Sequence, residues 1–343
     1  MKSKQGGRLD GGQALRRVKV SSLATYVPPR LLTNADLEAM VDTTEEWILR
    51  RTGIKQRHIV DSGVASSDLA ARAARSAIDQ AGLTPLDIDF IVVATTTPDM
   101  FFPSTACLVQ TKIGAENAWG FDLGAACSGF TYALTTGAQM VAGGAHDHAL
   151  VIGADVMSSI IDYKDRATCV LFGDGAGAAV ISPASENEPG LIDFAHEIDG
   201  SGGPALCMPA GGSLRPASHE TVDRRLHYVH QDGPAVFKFA VRKTAEICQR
   251  LLDQNNLTPD DIDLFVSHQA NRRIIESAAQ HIGLEKTKIV INIESYGNTT
   301  AATIPLALAD ALNDKRLVRG SRVLLTSVGA GFTVGAVLLR WSF

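Results

Sequence analysis

Residues 83–90 read "LTPLDIDF" and residues 257–264 read "LTPDDIDL", one octapeptide pattern met twice, half a chain apart. Self-similarity at such a distance means that the chain is built from two copies of one unit, so either copy constrains the fold of both. The surroundings repeat as well. A helix with Ser67 as N-cap and Leu69, Ala70, Ala73, Ala74, Ala77 and Ile78 on one face leads up to Gly82, and its counterpart runs from Val236 to Asn256. Each copy then has an apolar strand, "FIVVATT" or "LFVSHQA", and further on a glycine-containing turn into an apolar helix, "GAACSGFTYAL" or "YGNTTAATIPLAL". Each closes with small-residue strands around a tight turn, "CVLFGDGAGAAVI" and "LLTSVGAGFTVGAVLL".

Strands alternating with helices at this spacing predict parallel sheets covered by helices, and wholly apolar strands suit sheets buried on both faces. The fold class is α/β in two similar halves, 18–185 and 186–343. Two stretches fall outside the repeat. Residues 33–59 open on a cap signal and read as a helical arm that turns at Gly53. Residues 197–235 are rich in Gly, Pro and Ser without a period, an excursion near the domain boundary.

Composition narrows the partners. A net charge of −5 gives no global pull toward nucleic acid or an anionic membrane. No apolar run approaches the roughly 20 residues that span a bilayer. The polar opening "MKSKQGGRLDGGQALRR" has no secretory h-region, so residues 1–17 read as a loose tail. Five cysteines, an odd number with no CxxC pair, argue against a disulfide framework or thiolate zinc site. A cytoplasmic protein without a metal is expected.

Superposed halves bring equivalent loops together at strand C-termini, where open α/β sheets place ligands. Three polar groups then converge. Cys127 begins a helix, where the dipole and unpaired N–H groups favour thiolate, which predicts a nucleophile with a lowered pKa. Taken alone, a buried cysteine filling a tight corner among alanines is the better account; it is the alignment with His268 and Asn298 that favours the nucleophile. His268 interrupts the end of a buried strand, a costly place for imidazole without a task. Asn298 lies in a "GN" turn whose loop aims at the same cleft. The Gly329 and Cys127 N–H groups are candidates for an oxyanion hole. "FGDGAGAA" lacks both the Lys-Ser/Thr of a phosphate loop and the register of a dinucleotide fingerprint, so nucleotide binding is discounted.

With "DLGAACSGF", "FGDGAGAA", "SHQANRRI", "YGNTTAATIP" and "VGAGFTVGA" in that order, and "EEWILRRTGIKQRHI" before them, the chain resembles the 3-oxoacyl-acyl-carrier-protein synthase III family from about Val18 to Phe343. The resemblance implies a thiolase-like fold with mixed sheets in α-β-α-β-α layers. It implies transfer of a short acyl group, acetyl above all, from acyl-CoA to Cys127, then decarboxylative condensation with malonyl-acyl carrier protein. His268, through Nε2–H, and Asn298 would stabilise the enolate, with no cofactor. A starter or acceptor of polyketide or alkylquinolone type is the alternative.

Thiolases carry a second catalytic cysteine and elongating enzymes a second histidine; Cys-His-Asn is the initiating set. Position by position, the resemblance implies Thr43, Trp47, Arg51, Arg166, Phe237 and Asn271 for CoA, and Phe102, Met157 and Phe172 for the acyl pocket, Phe102 reaching across a homodimer. It implies Lys238, Arg272 and Arg273 for docking the carrier protein, although the chain has Gln280 and His281 where the family often has further basic residues. On residue type alone, packing of the arm explains Trp47, and core packing explains Phe102, Met157 and Phe172.

Overall fold

Among the described residues, nine strands form two large sheets of the same design. In the computed structural model, which describes residues 15–343, the first sheet runs Val18–Tyr26, Gly175–Pro183, Ala149–Asp155, Phe90–Ala94, Trp119–Leu123. The second runs Leu191–Ile198, Thr333–Arg340, Arg322–Gly329, Leu264–Ser267. In each, the first two pairings are antiparallel and the next is parallel. The first sheet adds a parallel fifth strand, whereas the second has only the parallel bridge Phe265–Ile289 in that place.

The sheets are therefore mixed, which corrects the parallel sheets predicted from alternation. A hairpin such as Arg322–Gly329 to Thr333–Arg340 must pair antiparallel, and only strands separated by a helix pair parallel. The tight turn predicted in the first half is also absent. Ala149–Asp155 and Gly175–Pro183 are joined by residues 156–174, which pack against the 33–59 arm and bond to Asn298 through Leu171 and Gly173.

Helices Gly129–Ala142 and Thr303–Asn313 lie between the sheets, Ser66–Gln80 and Thr105–Ile113 cover the first outside, and Gly233–Gln254 and Arg272–Ile282 cover the second. Five layers result, α-β-α-β-α. The central helices are apolar nearly all round because both faces are covered: Phe130, Leu134, Ile304 and Leu308 are almost wholly buried. Each such side chain contributes about 1.5–3 kcal/mol. The outer helices are amphipathic, as Ser66–Gln80 illustrates with its five buried alanines and exposed polar face.

Local expectations were mostly close in place. The first outer helix starts at Ser66 rather than after a Ser67 cap: Ala65 is the N-cap, its N–H donates to Asp68 at 3.0 Å, and the Ser67 hydroxyl donates to Asp99. The 33–59 arm is two short helices, Asn34–Glu38 capped by Thr33 and Glu45–Thr52 capped by Thr44. The second ends at Gly53 with φ +84°, a left-handed position that favours glycine. Of the expected tail, residues 1–14 lie outside those described. Arg16 and Arg17 are not loose: the Arg16 N–H donates to Ala142 O at 2.9 Å, and Ala184 N–H donates to Arg17 O at 2.8 Å.

Residues 197–235 leave the second sheet, form a short 3-10 helix (Gly200–Ala205) and a two-stranded ribbon (Leu206–Cys207 with His230–Gln231), and return to Gly233–Gln254. Between the ribbon strands sits helix His219–Asp223, with Arg225 paired to Asp162. No helix among the described residues is long and apolar enough to cross a membrane.

Candidate active site

The turn that carries Cys127 has a twin. In the register set by the repeated octapeptides, Ala126 corresponds to Thr300, Cys127 to Ala301 and Gly129 to Thr303. Both turns are single 3-10 turns, Ala126–Ser128 and Thr300–Ala302, running straight into the central helices. Both first residues are non-glycine at positive φ, 46° for Ala126 and 49° for Thr300. The left-handed residue bends the chain so that the next backbone N–H leaves the strand direction. In the second half that N–H, from Ala301, donates to the buried carboxylate of Asp155 at 3.2 Å. This turn geometry therefore presents an N–H to an anion, the property the Cys127 turn needs in order to hold an oxyanion.

The other half of the expected oxyanion hole lies beside it. A Cβ placed on Gly329 would stand 2.8 Å from the Cys127 nitrogen and 2.9 Å from Ala125 O, so only glycine lets the two backbones meet. Gly329 itself lines a small adjoining space of about 30 Å³ with His268 and Phe332.

A cavity of about 820 Å³ brings the three polar groups together. Its buried end is lined by Cys127, His268 and Asn298, and its open end by Trp47, Arg51, Phe237, Asn271 and Arg273. His268 is fixed at the end of its strand by its N–H to Thr326 O at 2.8 Å, and its Nδ1 lies 2.7 Å from the Thr303 hydroxyl. The neighbouring Gln269 side chain locks the turn by donating to Ser267 O and Val290 O. Asn298 is held on both sides of its backbone by the opposite half: its N–H donates to Leu171 O at 2.9 Å and its O accepts from Gly173 N–H at 3.1 Å. Its side-chain Oδ1 accepts from Thr300 N–H at 2.9 Å, which leaves the NH₂ free to donate.

Electrostatics correct one expectation. Cys127 was predicted to have a lowered pKa, but burial pushes its thiol up to about 12, and the nearby Asp155 carboxylate adds to the rise. Desolvation of the thiolate outweighs the single helix terminus. Burial likewise holds His268 down at about 3. Burial thus favours thiol and neutral imidazole over the charged pair, an arrangement in which attack by the sulfur calls for a base to take its proton.

A second cavity of about 150 Å³ opens from Cys127 and is lined by Met157 and Phe172 from the expected set. Phe102 does not reach it; this residue lies on the surface, 84% exposed beside Phe101. The excursion contributes Leu206, Cys207, Met208 and Val229, none of which sequence reasoning singled out because the loop carries no periodic signal.

At the open end, the Arg166 guanidinium stacks over Trp47 at 4.5 Å and that of Arg51 lies 6.0 Å from the same ring. Thr43 and Arg166 are not wall residues, although the Thr43 hydroxyl is buried without a partner. Asn271 caps helix Arg272–Ile282 and donates to Arg51 O at 2.9 Å. Of the expected docking residues, Arg273 lies at the mouth against Phe237, and Lys238 lies in an adjoining open groove. Arg272 pairs with Glu276 at 2.9 Å.

Sequence reasoning also missed Asp155. Its Oδ1 accepts from Thr96 N–H (2.7 Å) and from the hydroxyls of Thr95, Thr96 and Thr97. Its Oδ2 accepts from the Thr300 hydroxyl and Ala301 N–H. A carboxylate ending the apolar strand "ALVIGAD" was the available signal, the same one that marked His268.

Comparison with known proteins agrees with this architecture. The 3-oxoacyl-[acyl-carrier-protein] synthase III family model matches residues 121–200, and its C-terminal companion matches residues 252–341. A beta-ketoacyl-[acyl-carrier-protein] synthase III of Koribacter versatilis is 56% identical over 331 residues, covering 96% of this chain and 99% of the relative. The chain belongs to the 3-oxoacyl-[acyl-carrier-protein] synthase III family. Among solved structures, the synthase III of Aquifex aeolicus is 41% identical with a TM-score of 0.87, covering 94% of this chain and all of that one. The priming β-ketosynthase of the R1128 polyketide pathway is 33% identical with a TM-score of 0.89, covering 98% and 99%. The family's layered fold is thus the one described above.

Proposed function

We propose that the protein is the initiating condensing enzyme of fatty-acid synthesis. It takes a short acyl group from acyl-CoA onto Cys127 and condenses it with malonyl-acyl carrier protein, releasing CoA, CO₂ and a 3-oxoacyl-carrier protein. The observation that carries the reading is the single cavity with Cys127, His268 and Asn298 at one end and Trp47 and Arg51 at the other. A thiol nucleophile with two polar groups contributed by the opposite half suits a thioester that must first be opened and then attacked.

The acyl-CoA would enter past Trp47 with its adenine on that ring, Arg51, Arg166 and Thr43 serving polar and phosphate groups, and Phe237 and Asn271 flanking the pantetheine arm. The 150 Å³ cavity matches a benzene-sized guest, which favours a short primer over a long one. Met157 and Phe172 would shape it, and exposed Phe102 would close the pocket of a second copy in a homodimer. Lys238, Arg272 and Arg273 would meet the acidic carrier protein. We take the halves as 18–185 and 186–343 and the protein as cytoplasmic, without nucleic-acid or membrane partners. The two half-reactions need only side chains, backbone N–H groups and water. The higher identity to the beta-ketoacyl-[acyl-carrier-protein] synthase III of Koribacter versatilis than to the polyketide priming enzyme favours this reading over a secondary-metabolite role.

Incubation with radiolabelled acetyl-CoA should label Cys127, and addition of malonyl-acyl carrier protein should discharge the label into 3-oxobutyryl-carrier protein with release of CO₂. Absence of label from the protein, or condensation that survives Cys127→Ala, would sink the reading.

A further inference from the structure

We propose that Thr303 fixes neutral His268 as the tautomer protonated on Nδ1, so that Nε2 meets the cavity as a proton acceptor. The proposal deepens the reading above and rests on it for its chemistry, though not for its geometry. The Thr303 hydroxyl sits between two groups, His268 Nδ1 at 2.7 Å and Thr300 O at 3.0 Å. A hydroxyl has one proton to give. If it gives that proton to Thr300 O, Nδ1–H donates to Oγ1 and both contacts are hydrogen bonds in one chain. If it gives the proton to Nδ1, the hydroxyl and carbonyl oxygens face each other at 3.0 Å with no hydrogen between them. Thr300 O also accepts the Thr303 backbone N–H, and a carbonyl's second lone pair takes the hydroxyl.

Burial makes the choice firm. His268, Thr300 and Thr303 are 4%, 3% and 2% exposed, so no solvent offers a substitute partner, and polar chains in such surroundings reinforce one another. Thr303 is the first residue of its helix, where a threonine hydroxyl reaches back to the carbonyl three residues earlier. Its counterpart in the first half, Gly129, has no side chain, so only the second half has this relay.

The consequence is a complete account of protons. As Cys127 Sγ bonds to the acyl carbon of acyl-CoA, the thiol proton passes to Nε2. It then passes to the CoA sulfur as the C–S bond of acyl-CoA breaks, leaving His268 neutral. The condensation takes up one proton from water; burial disfavours imidazolium at rest, so Nε2 takes that proton only with the malonyl thioester bound, whose negative charge, first on the carboxylate and then on the enolate oxygen, offsets the imidazolium. The resulting Nε2–H joins the Asn298 NH₂ in bonding the thioester oxygen as the bond to the malonyl carboxylate breaks and CO₂ leaves. When the enolate carbon bonds to the acyl carbon, the C–S bond to Cys127 breaks. The proton on Nε2 then goes to Sγ, restoring thiol and neutral imidazole. His268 is thus an Nε2–H donor only after taking up a proton, which revises the neutral Nε2–H expected from the sequence.

The test is ¹⁵N NMR of the full-length, histidine-labelled enzyme near neutral pH, with His268→Gln assigning the signal. The expected result is a protonated Nδ1 and an unprotonated Nε2. An Nε2–H tautomer, or a mixture in fast exchange, overturns the proposal without any variant and whether or not the enzyme condenses malonyl thioesters. Thr303→Val should move the proton to Nε2 and slow acylation of Cys127 by acetyl-CoA about tenfold or more, with a smaller loss in CO₂ release. Thr303→Ser should restore both the Nδ1–H signal and the rate. Acylation at the unmodified rate in Thr303→Val would also refute it.

Discussion

The carboxylate of Asp155, in the first half, accepts the hydroxyl of Thr300, in the second, and both residues are buried. Through Thr300 it supports the turn whose N–H orients the Asn298 amide, and it adds to the rise in the Cys127 pKa second to burial. Asp155→Asn should therefore have opposite effects on two measurements. The thermal midpoint should fall, because an amide cannot accept from this many donors, with a loss of about 2–3 kcal/mol. Alkylation of Cys127 by iodoacetamide at pH 8 should quicken, because the neighbouring negative charge is gone. Slower alkylation in a folded variant would contradict the electrostatic assignment.

Asn298→Ala should separate the half-reactions. Acylation of Cys127 should stay near its normal rate, while CO₂ release from malonyl-acyl carrier protein should drop about 10²–10³-fold, the usual cost of one oxyanion donor. Equal losses in both steps would remove Asn298 from the role proposed.

Gly329→Ala should cripple acyl transfer. The added Cβ would press on the Cys127 nitrogen, the Ala125 carbonyl and the Thr333 hydroxyl, all within 3 Å. Single-turnover acylation should slow by at least about tenfold with far-ultraviolet circular dichroism unchanged; an unimpaired rate would show that the two backbones can part without consequence.

Stability should decline as the solution is acidified below the ordinary histidine range. His268 and His196 are held down to about 3 and about 4 by burial. An unfolded chain binds protons at both residues near pH 6.5, while the folded protein does not. Stability is thus fully present above about pH 6.5 and is lost as pH falls toward the depressed folded values. Thermal midpoints measured from pH 7 to 5 should fall, and His196→Gln should lessen the fall. A midpoint independent of pH over that interval would contradict the burial assigned to both rings.

Trp47→Ala should weaken use of acyl-CoA while sparing chemistry on an enzyme already acylated. The ring stacks with Arg166 and lines the cavity mouth, so KM for acetyl-CoA should rise about tenfold with little change in kcat, as for lost uniform binding. A selective fall in kcat would place Trp47 closer to the reaction than the geometry does.

The repeated octapeptides and the strand-end polar residues made the two halves and the meeting of Cys127, His268 and Asn298 legible, because local period and chain order carry that information. The reduced fifth strand at Ile289 was not legible, since a single long-range bridge leaves no periodic mark. Neither was the inward face of Leu206–Met208, set by a ribbon whose two strands are separated by a long stretch with only one short helix. The Cys127 thiol was misjudged for a different reason. A helix terminus can be read from neighbouring residues, but desolvation comes from everything packed around the sulfur. Asp155 lay in plain view and was passed over because threonines sixty residues away satisfy it.

The twin left-handed turns, Ala126 in one half and Thr300 in the other, carry a consequence for how such a centre could arise. Two identical chains paired about a true twofold axis would have to present the same side chain on either side of it. Covalent fusion lifts that rule. One seat can hold the Asp155 carboxylate at Ala301 N–H, while the other is free to carry a different residue, Cys127, in the same bend. The Asp155 carboxylate shows what that shared bend of backbone can hold.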